Sequence, residues 1–332
     1  MSGATCVVTG GAGFVGASLT TYLLDLGYKV HVVDNLSLGL RELVDQRAKF
    51  WNLDIRDFDS SSALFRRIQP EIIFHLAALA TTKETSAGWL SPDEMFDVNT
   101  KGTRIICKSI VEADIDPVVV LTSSAAVYGE PISLPIKESD PMNPISPYGI
   151  SKLCAEKILY AYHVEYGLKT IIARLFNVYG PSARRYLIFD VYHKLKENCR
   201  YLEILGSGNQ IRDFVHIYDV VDVLERLSGA KNAIENIFNV GTGKGMTVKE
   251  VVKIVIQTMN LNNVDLRYSM FSWKGDPSKL IADIKKLSRF LSWTPKFPPH
   301  EGISNVILKL ESSGLSSSLK RGTCSTGGVD VV

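Results

Sequence analysis

Two short stretches of this 332-residue chain carry side chains that could do proton chemistry together. Tyr148-Gly149-Ile150-Ser151-Lys152 spaces a phenol and an ammonium by four positions, which places both on one face of a helix. About twenty residues upstream, an apolar run ends in Thr122-Ser123-Ser124. A phenol of pKa about 10 is a poor base at neutral pH, and bringing it to neutrality takes roughly 4 kcal/mol. A nearby cation in a partly desolvated site can supply that, and Ser124 would align the same substrate hydroxyl. The spacing alone is weak, because Tyr192-His193-Lys194-Leu195-Lys196 matches it too. Tyr192 lacks an upstream strand ending in hydroxyls and is assigned to an ordinary helix surface.

A second constellation points to a bound dinucleotide. Gly10, Gly13 and Gly16 lie in Thr9-Gly10-Gly11-Ala12-Gly13-Phe14-Val15-Gly16, between an apolar run and a helical pattern. One glycine permits a sharp turn, the next lets backbone approach a pyrophosphate, and the third permits close packing of a helix whose N-terminus faces the anion. Asp34 closes the following apolar run, where a carboxylate accepts bonds from ribose hydroxyls and repels a 2′-phosphate; NAD is therefore favoured over NADP. Asp54 reads two ways, as an adenine neighbour or as a solvated turn carboxylate.

The elements that must position these groups are legible in outline. Thr5–Thr9, Val30–Asp34, Ile72–Leu76, Val118–Thr122 and Thr170–Leu175 are short apolar, β-branched runs separated by amphipathic stretches, the first of them a helix over about Phe14–Gly27. Continuous apolar strands between helices predict a parallel sheet covered on both faces, a doubly wound α/β (Rossmann) fold with a smaller C-terminal substrate-binding lobe. The expected division is 1–176 for the NAD-binding domain, with a return segment near 214–240, then 177–311 mainly for the lobe and 312–332 as a flexible tail. A helix over Val248–Met259 is expected, capped by Thr247.

Composition narrows the function classes. Apolar residues make up 45% and charged residues 22%, and the net charge of +2 argues against a nucleic-acid or polybasic membrane binder. Cys6, Cys107, Cys154, Cys199 and Cys324 are scattered without metal-ligand spacing, so no metal site is expected and reduced thiols in a cytoplasmic protein are. Neither a transmembrane-length run nor a signal-peptide pattern is evident.

Taken in order, the motifs resemble the sugar-nucleotide epimerase/dehydratase family of the extended short-chain dehydrogenases/reductases. They are the glycine turn, Asp34-Asn35-Leu36-Ser37, His75-Leu76-Ala77-Ala78, Asn99, Ser123-Ser124, Tyr148 with Lys152, Arg174-Leu175-Phe176-Asn177-Val178-Tyr179-Gly180-Pro181 and Arg212-Asp213-Phe214-Val215. The resemblance implies that Tyr148, Lys152 and Ser124 are catalytic. It implies a cofactor site of Gly10, Gly13, Phe14, Val15, Gly16, Asp34, Asn35, Asp54, Ile55, Leu76, Ala77, Ala78, Asn99, Tyr148 and Lys152. For the nucleotide sugar it implies Ser123, Ser124, Tyr148, Asn177, Arg185, Arg212, Lys274 and Asp276. His75 is read as core. Where dehydratases of the family carry Asp-Glu, this chain has Ala125-Ala126, which cannot do acid–base work; the pattern resembles UDP-hexose 4-epimerases, in which a transient 4-keto sugar turns over between two hydride transfers. One departure is Trp273 in Trp273-Lys274-Gly275-Asp276, where an arginine normally grips the diphosphate. Lys274, Arg184 or Arg185 would compensate, or are solvated surface. A homodimer through helices near Asp93–Ala113 and Tyr148–Tyr166 is also implied. The alternatives are a dehydratase, decarboxylase or dehydrogenase on similar substrates, and a non-catalytic NAD sensor.

Overall fold

A computed structural model describes residues 3–80, 84–85, 88–89, 91–269 and 275–312. The flexible tail expected over 312–332 therefore lies, beyond Ser312, outside the described residues, as does Lys274.

Seven strands form one parallel sheet. They are β1 (Thr5–Thr9), β2 (Lys29–Asp34), β3 (Lys49–Asn52), β4 (Ile72–His75), β5 (Val118–Ser124), β6 (Lys169–Leu175) and, after an excursion, β10 (Ile237–Val240). Their spatial order is β10-β6-β5-β4-β1-β2-β3. The chain starts in the middle and winds outward in both directions, so a crevice opens where the order reverses between β1 and β4. Register brings Thr9 beside His75 and Val33 at its mouth.

Helices cover both faces because the strands have no polar face to leave in water. On one side α1 (Phe14–Asp25) packs with α6 (Ile217–Gly229) over Val8, Val32 and Phe74. On the other lie α2 (Phe58–Ile68), α3 and α4 (Pro147–Tyr166), meeting Val7, Ile73 and Val119. Helix α3 begins at Pro92–Met95, passes through a π-helical stretch at Phe96–Gly102 and continues as Thr103–Glu112.

The excursion between β6 and β10 supplies half of a second, smaller core, and the chain beyond β10 supplies the rest. The excursion contains β7 (Asn177–Tyr179), α5 (Leu187–Glu197), β8 (Tyr201–Ile204) and β9 (Ile211–His216). Farther along come β11 (Gly245–Thr247), α7 (Val248–Thr258), β12 (Asp265–Tyr268), β13 (Lys279–Leu280), α8 (Lys285–Leu291) and α9 (Pro299–Ser312). Thr247 caps α7 as expected, accepting from the Glu250 amide at 3.1 Å while Glu250 reaches back to the Thr247 amide at 2.7 Å. Val191, Leu195, Val251, Val255, Ile303 and Ile307 interlock α5, α7 and α9. Tyr192 belongs to this core at 3% exposure. The surface assignment from sequence is thereby corrected: α7 and α9, which bury it, come from much later in the chain. Among the described residues no helix is long and apolar enough to cross a membrane.

Candidate active site

A cleft of about 1160 Å³ runs between the carboxyl ends of the sheet strands and the smaller core. At one end is the glycine turn. Gly10 sits at φ +70°, where a side chain is strained, and a Cβ there would come within 2.7 Å of the Ala77 backbone. A Cβ on Gly16 would stand 2.1 Å from the Gly10 carbonyl oxygen, so its glycine lets the first turn of α1 settle on the loop. Gly13 has only that oxygen near it, at 3.3 Å. No side chain caps α1 and no acidic residue stands in its first turn. The free amides at Phe14, Val15 and Gly16 therefore border the cleft with the positive end of the helix dipole.

Asp34 lines the cleft and braces the turn, accepting from the amides of Ala12 at 3.0 Å and Leu36 at 2.8 Å. Each carboxylate oxygen retains a further acceptor site. Asn35 donates to Asp54 at 3.0 Å, and Arg56 grips Asp54 through Nε at 2.9 Å and Nη2 at 2.6 Å. The Arg56 bonds hold the Asp54 carboxyl down at about 2 against partial burial. An anion-receptive turn, a ribose-competent carboxylate and the Leu76-Ala77-Ala78 wall together fit a dinucleotide.

At the catalytic end, β5 delivers Ser123 and Ser124. Ser124 accepts from the Ala126 amide at 3.2 Å and starts a single helical turn, Ala125–Tyr128. Helix α4 begins with Pro147 and is capped by Ser146, which accepts from Gly149 N at 3.0 Å. A Cβ on Gly149 would lie 2.5 Å from the Ala126 carbonyl oxygen. That glycine, to which the sequence assigned no role, lets α4 close on the serine turn, and Tyr148 and Ser124 line the same cleft. The signal was present in Tyr148-Gly149, a glycine inside the first turn of a helix where it costs stability unless close packing needs it.

Burial pushes the Tyr148 phenol up to about 12, with Tyr186 adding to it; the Ser124 bond and the Arg185 charge pull the other way. Burial pulls Lys152 down to about 8, against the Glu156 charge. For both groups burial is the largest cause of the shift, and the expectation that the ammonium and the positive nicotinamide together lower the phenol concerns the NAD-bound site. His75 is core, as expected, hydrogen-bonded with Thr9 Oγ1 at 2.7 Å and Thr103 Oγ1 at 3.0 Å.

Toward the smaller core, Asn177, Arg185, Arg212 and Asp276 line the same cleft. Arg212 donates to Asp276 Oδ1 and the Pro277 carbonyl, both at 2.6 Å, and to the Ile211 carbonyl at 2.8 Å. The buried Ser123 Oγ has no partner among the described residues, leaving a hydroxyl available to a ligand. Asn99 differs from its expected place. It stands behind the cleft wall, accepting from Leu79 N at 2.7 Å and donating to Leu79 O at 3.0 Å and Ser151 Oγ at 2.9 Å. The π-helical stretch turns it toward α4, so it supports Leu79 from behind. Arg184 is not among the lining residues, whereas Arg185 is, and all the other described candidates border the cleft.

A switch-point crevice with a glycine turn at one end and Ser124, Tyr148 and Lys152 at the other defines an extended short-chain dehydrogenase/reductase. Residues 6–241 match the model of the NAD dependent epimerase/dehydratase family, and the chain belongs to that family. A putative UDP-glucose 4-epimerase of Methanocaldococcus jannaschii is 35% identical, the alignment covering 91% of this chain and 96% of that one. The crystal structure of the Thermotoga maritima UDP-glucose 4-epimerase with UDP-glucose superposes with a TM-score of 0.86 at 30% identity, covering 93% and 99% of the two chains. The Thermus thermophilus UDP-glucose 4-epimerase, solved with NAD, gives 0.84 at 28% identity over the same shares.

Proposed function

We propose that this chain is an NAD-dependent 4-epimerase of a sugar nucleotide, a UDP-hexose or UDP-hexuronic acid, working through a transient 4-keto sugar. The observation that carries the reading is the grouping of Ser124, Tyr148 and Lys152 along the cleft that the glycine turn also lines. The curated relatives and solved structures named above support the same reading. The first-turn amides of α1 hold the pyrophosphate, Asp34 the ribose, Asp54 and Ile55 the adenine side, and Ala77 with Lys152 the nicotinamide side. The chemistry NAD supplies when bound is acceptance and return of hydride.

The chain's own residues manage the proton. Tyr148 Oη takes it from the C4 hydroxyl, Ser124 keeps that hydroxyl aligned, and the Arg185 charge favours the phenolate, with Lys152 on the same helix face as the second cation of the site. Ala125 and Ala126 offer no acid or base for eliminating water, which favours epimerisation over dehydration. Ser123, Asn177, Arg212 and Asp276 hold the sugar nucleotide, with Arg185 near its anionic groups. Cys6, Cys107 and Cys154 are free thiols but Cys199 is disulfide-bonded, which corrects the expectation of reduced thiols throughout and removes the cysteines as support for a cytoplasmic setting; the exposed apolar face of α4 supports a homodimer.

The test is incubation with UDP-, dTDP-, GDP- and CDP-sugars followed by chromatographic resolution of epimers. A C4 epimer of a UDP-sugar without accumulating NADH is the expected product. Stoichiometric NADH, or a stable keto product, would replace this reading by a dehydrogenase or dehydratase.

A further inference from the structure

Tyr148, Lys152 and Glu156 follow one another at four-residue intervals on α4, so one helical stripe carries a phenol, an ammonium and a carboxylate. Glu156 is 3% exposed, and Arg174 on β6 is fully buried. Arg174 meets both carboxylate oxygens, through Nε at 2.9 Å and Nη2 at 2.7 Å. The guanidinium is itself fixed from the strand side. Its Nη1 donates to the Tyr128 phenol oxygen at 2.8 Å and to the Glu138 carbonyl at 3.3 Å, and its Nη2 lies 2.8 Å from the Met142 sulfur. Tyr128 donates onward to Asn239 Oδ1 on β10 at 2.7 Å, and the Asn239 amide donates to Glu138 at 2.9 Å. A buried ion pair adds little stability beyond what apolar residues of the same volume would give, because desolvating both ions offsets their attraction. Its placement one helical turn from Lys152 gives it a second use.

We propose that Glu156 is a positioning residue of the reaction: held by Arg174 one helical turn from Lys152, its carboxylate keeps the buried Lys152 ammonium charged in the cleft that Tyr148 shares. The proposal rests on the catalytic reading of Tyr148 and Lys152 given above. Burial pulls Lys152 down and the Glu156 charge opposes it, the two together leaving the ammonium at about 8. The other ionisable groups around the lysine cannot substitute. His75 on β4 is neutral, drawn to about 3 by burial, and Tyr128 is neutral, pushed up to about 12. On α3, packed against α4, the charges of Asp93, Glu94, Asp97, Lys101, Arg104, Lys108 and Glu112 are all exposed and screened by solvent. Arg185, across the cleft, acts on Tyr148.

The experiment compares the NAD-loaded wild type with Glu156→Gln, Glu156→Asp and the double variant Glu156→Gln/Arg174→Met. The double variant removes the whole pair, so it decides the matter even where Glu156→Gln, which strands a buried guanidinium, fails to fold. Two readouts are taken: the pH profile of kcat/KM, and titration of the Lys152 side chain by NMR of 13Cε-labelled lysine, assigned by its loss in Lys152→Met. The expected result is a downward move of the alkaline limb and of the Lys152 titration, by about one pH unit in Glu156→Gln, which leaves the Arg174 charge, and by less in the double variant, which removes both charges, with Glu156→Asp close to wild type. A folded double variant with the limb and the lysine titration unmoved would overturn the proposal and leave the pair a structural one. Absence of turnover in the wild type would count against the epimerase reading only, since the lysine titration still decides the role of Glu156.

Discussion

At the scale of single residues, the site is built from groups whose proton affinities burial has driven toward neutrality. Tyr148 holds its proton up to about 12 and Lys152 releases its proton near 8. Tyr148→Phe keeps the ring and the packing while removing the proton acceptor. Turnover should fall by about 10²–10⁴-fold, with the melting temperature and the NAD content of the purified protein unchanged. Wild-type rates in that variant would remove Tyr148 from the chemistry. His75 makes the complementary case for stability. Its pKa is depressed from 6.5 to about 3 by burial, so the unfolded chain binds the proton that the folded one refuses. Its contribution is therefore complete above 6.5 and is lost as the pH falls from there toward 3, at about 1.4 kcal/mol per pH unit where the difference is a whole proton. Urea melts between pH 6 and pH 4 should show a shallower loss of stability in His75→Gln than in the wild type.

At the scale of elements, geometry set within one element was legible and geometry set between elements was not. The glycine turn with α1, and the start of α4, are local: φ preference, a cap and four-residue spacing place Gly10, Gly16, Tyr148 and Lys152 whatever the rest of the chain does. The same holds for Thr247 and α7. Asn99 was misplaced because its π-helical stretch is a tertiary feature that redirects it onto Leu79 and Ser151. Arg174 and Glu156 had no readable link, since β6 and α4 meet only in the folded sheet. The turn itself yields a prediction in which two glycines separate. Gly16→Ala drives a methyl to 2.1 Å from the Gly10 oxygen, a backbone atom that cannot rotate away, so both the melting temperature and bound NAD should drop. Gly13→Ala meets the same oxygen only at 3.3 Å and at φ −84°. It should keep its melting temperature and lose NAD on gel filtration, because the added methyl occupies the approach to the first-turn amides. Full NAD retention in Gly13→Ala would mean that the pyrophosphate does not sit there.

At the scale of the whole molecule, α4 is a helix with more apolar surface than one chain covers. Its inner side packs Ala155 and Leu159 into the sheet, yet Tyr160 and Val164, one turn apart on the other side, are 64% and 66% exposed. Ile150 and Val111 of the neighbouring α3 are also open to solvent. A helix apolar on opposite faces is normally buried on both, and in the homodimer proposed above a second copy of the same pair of helices would be the self-complementary cover. Because Tyr148 and Lys152 project from the first turns of α4, such a cover would also stiffen the element that aims them. The wild type should run as a dimer by multi-angle light scattering at micromolar concentration. Tyr160→Glu with Val164→Lys should shift it to monomer and lower its melting temperature, with kcat falling more than NAD content because the glycine turn lies on a different helix. A monomeric wild type at that concentration, melting no lower than a concentrated sample, would show that the exposed face of α4 has no partner of its own kind.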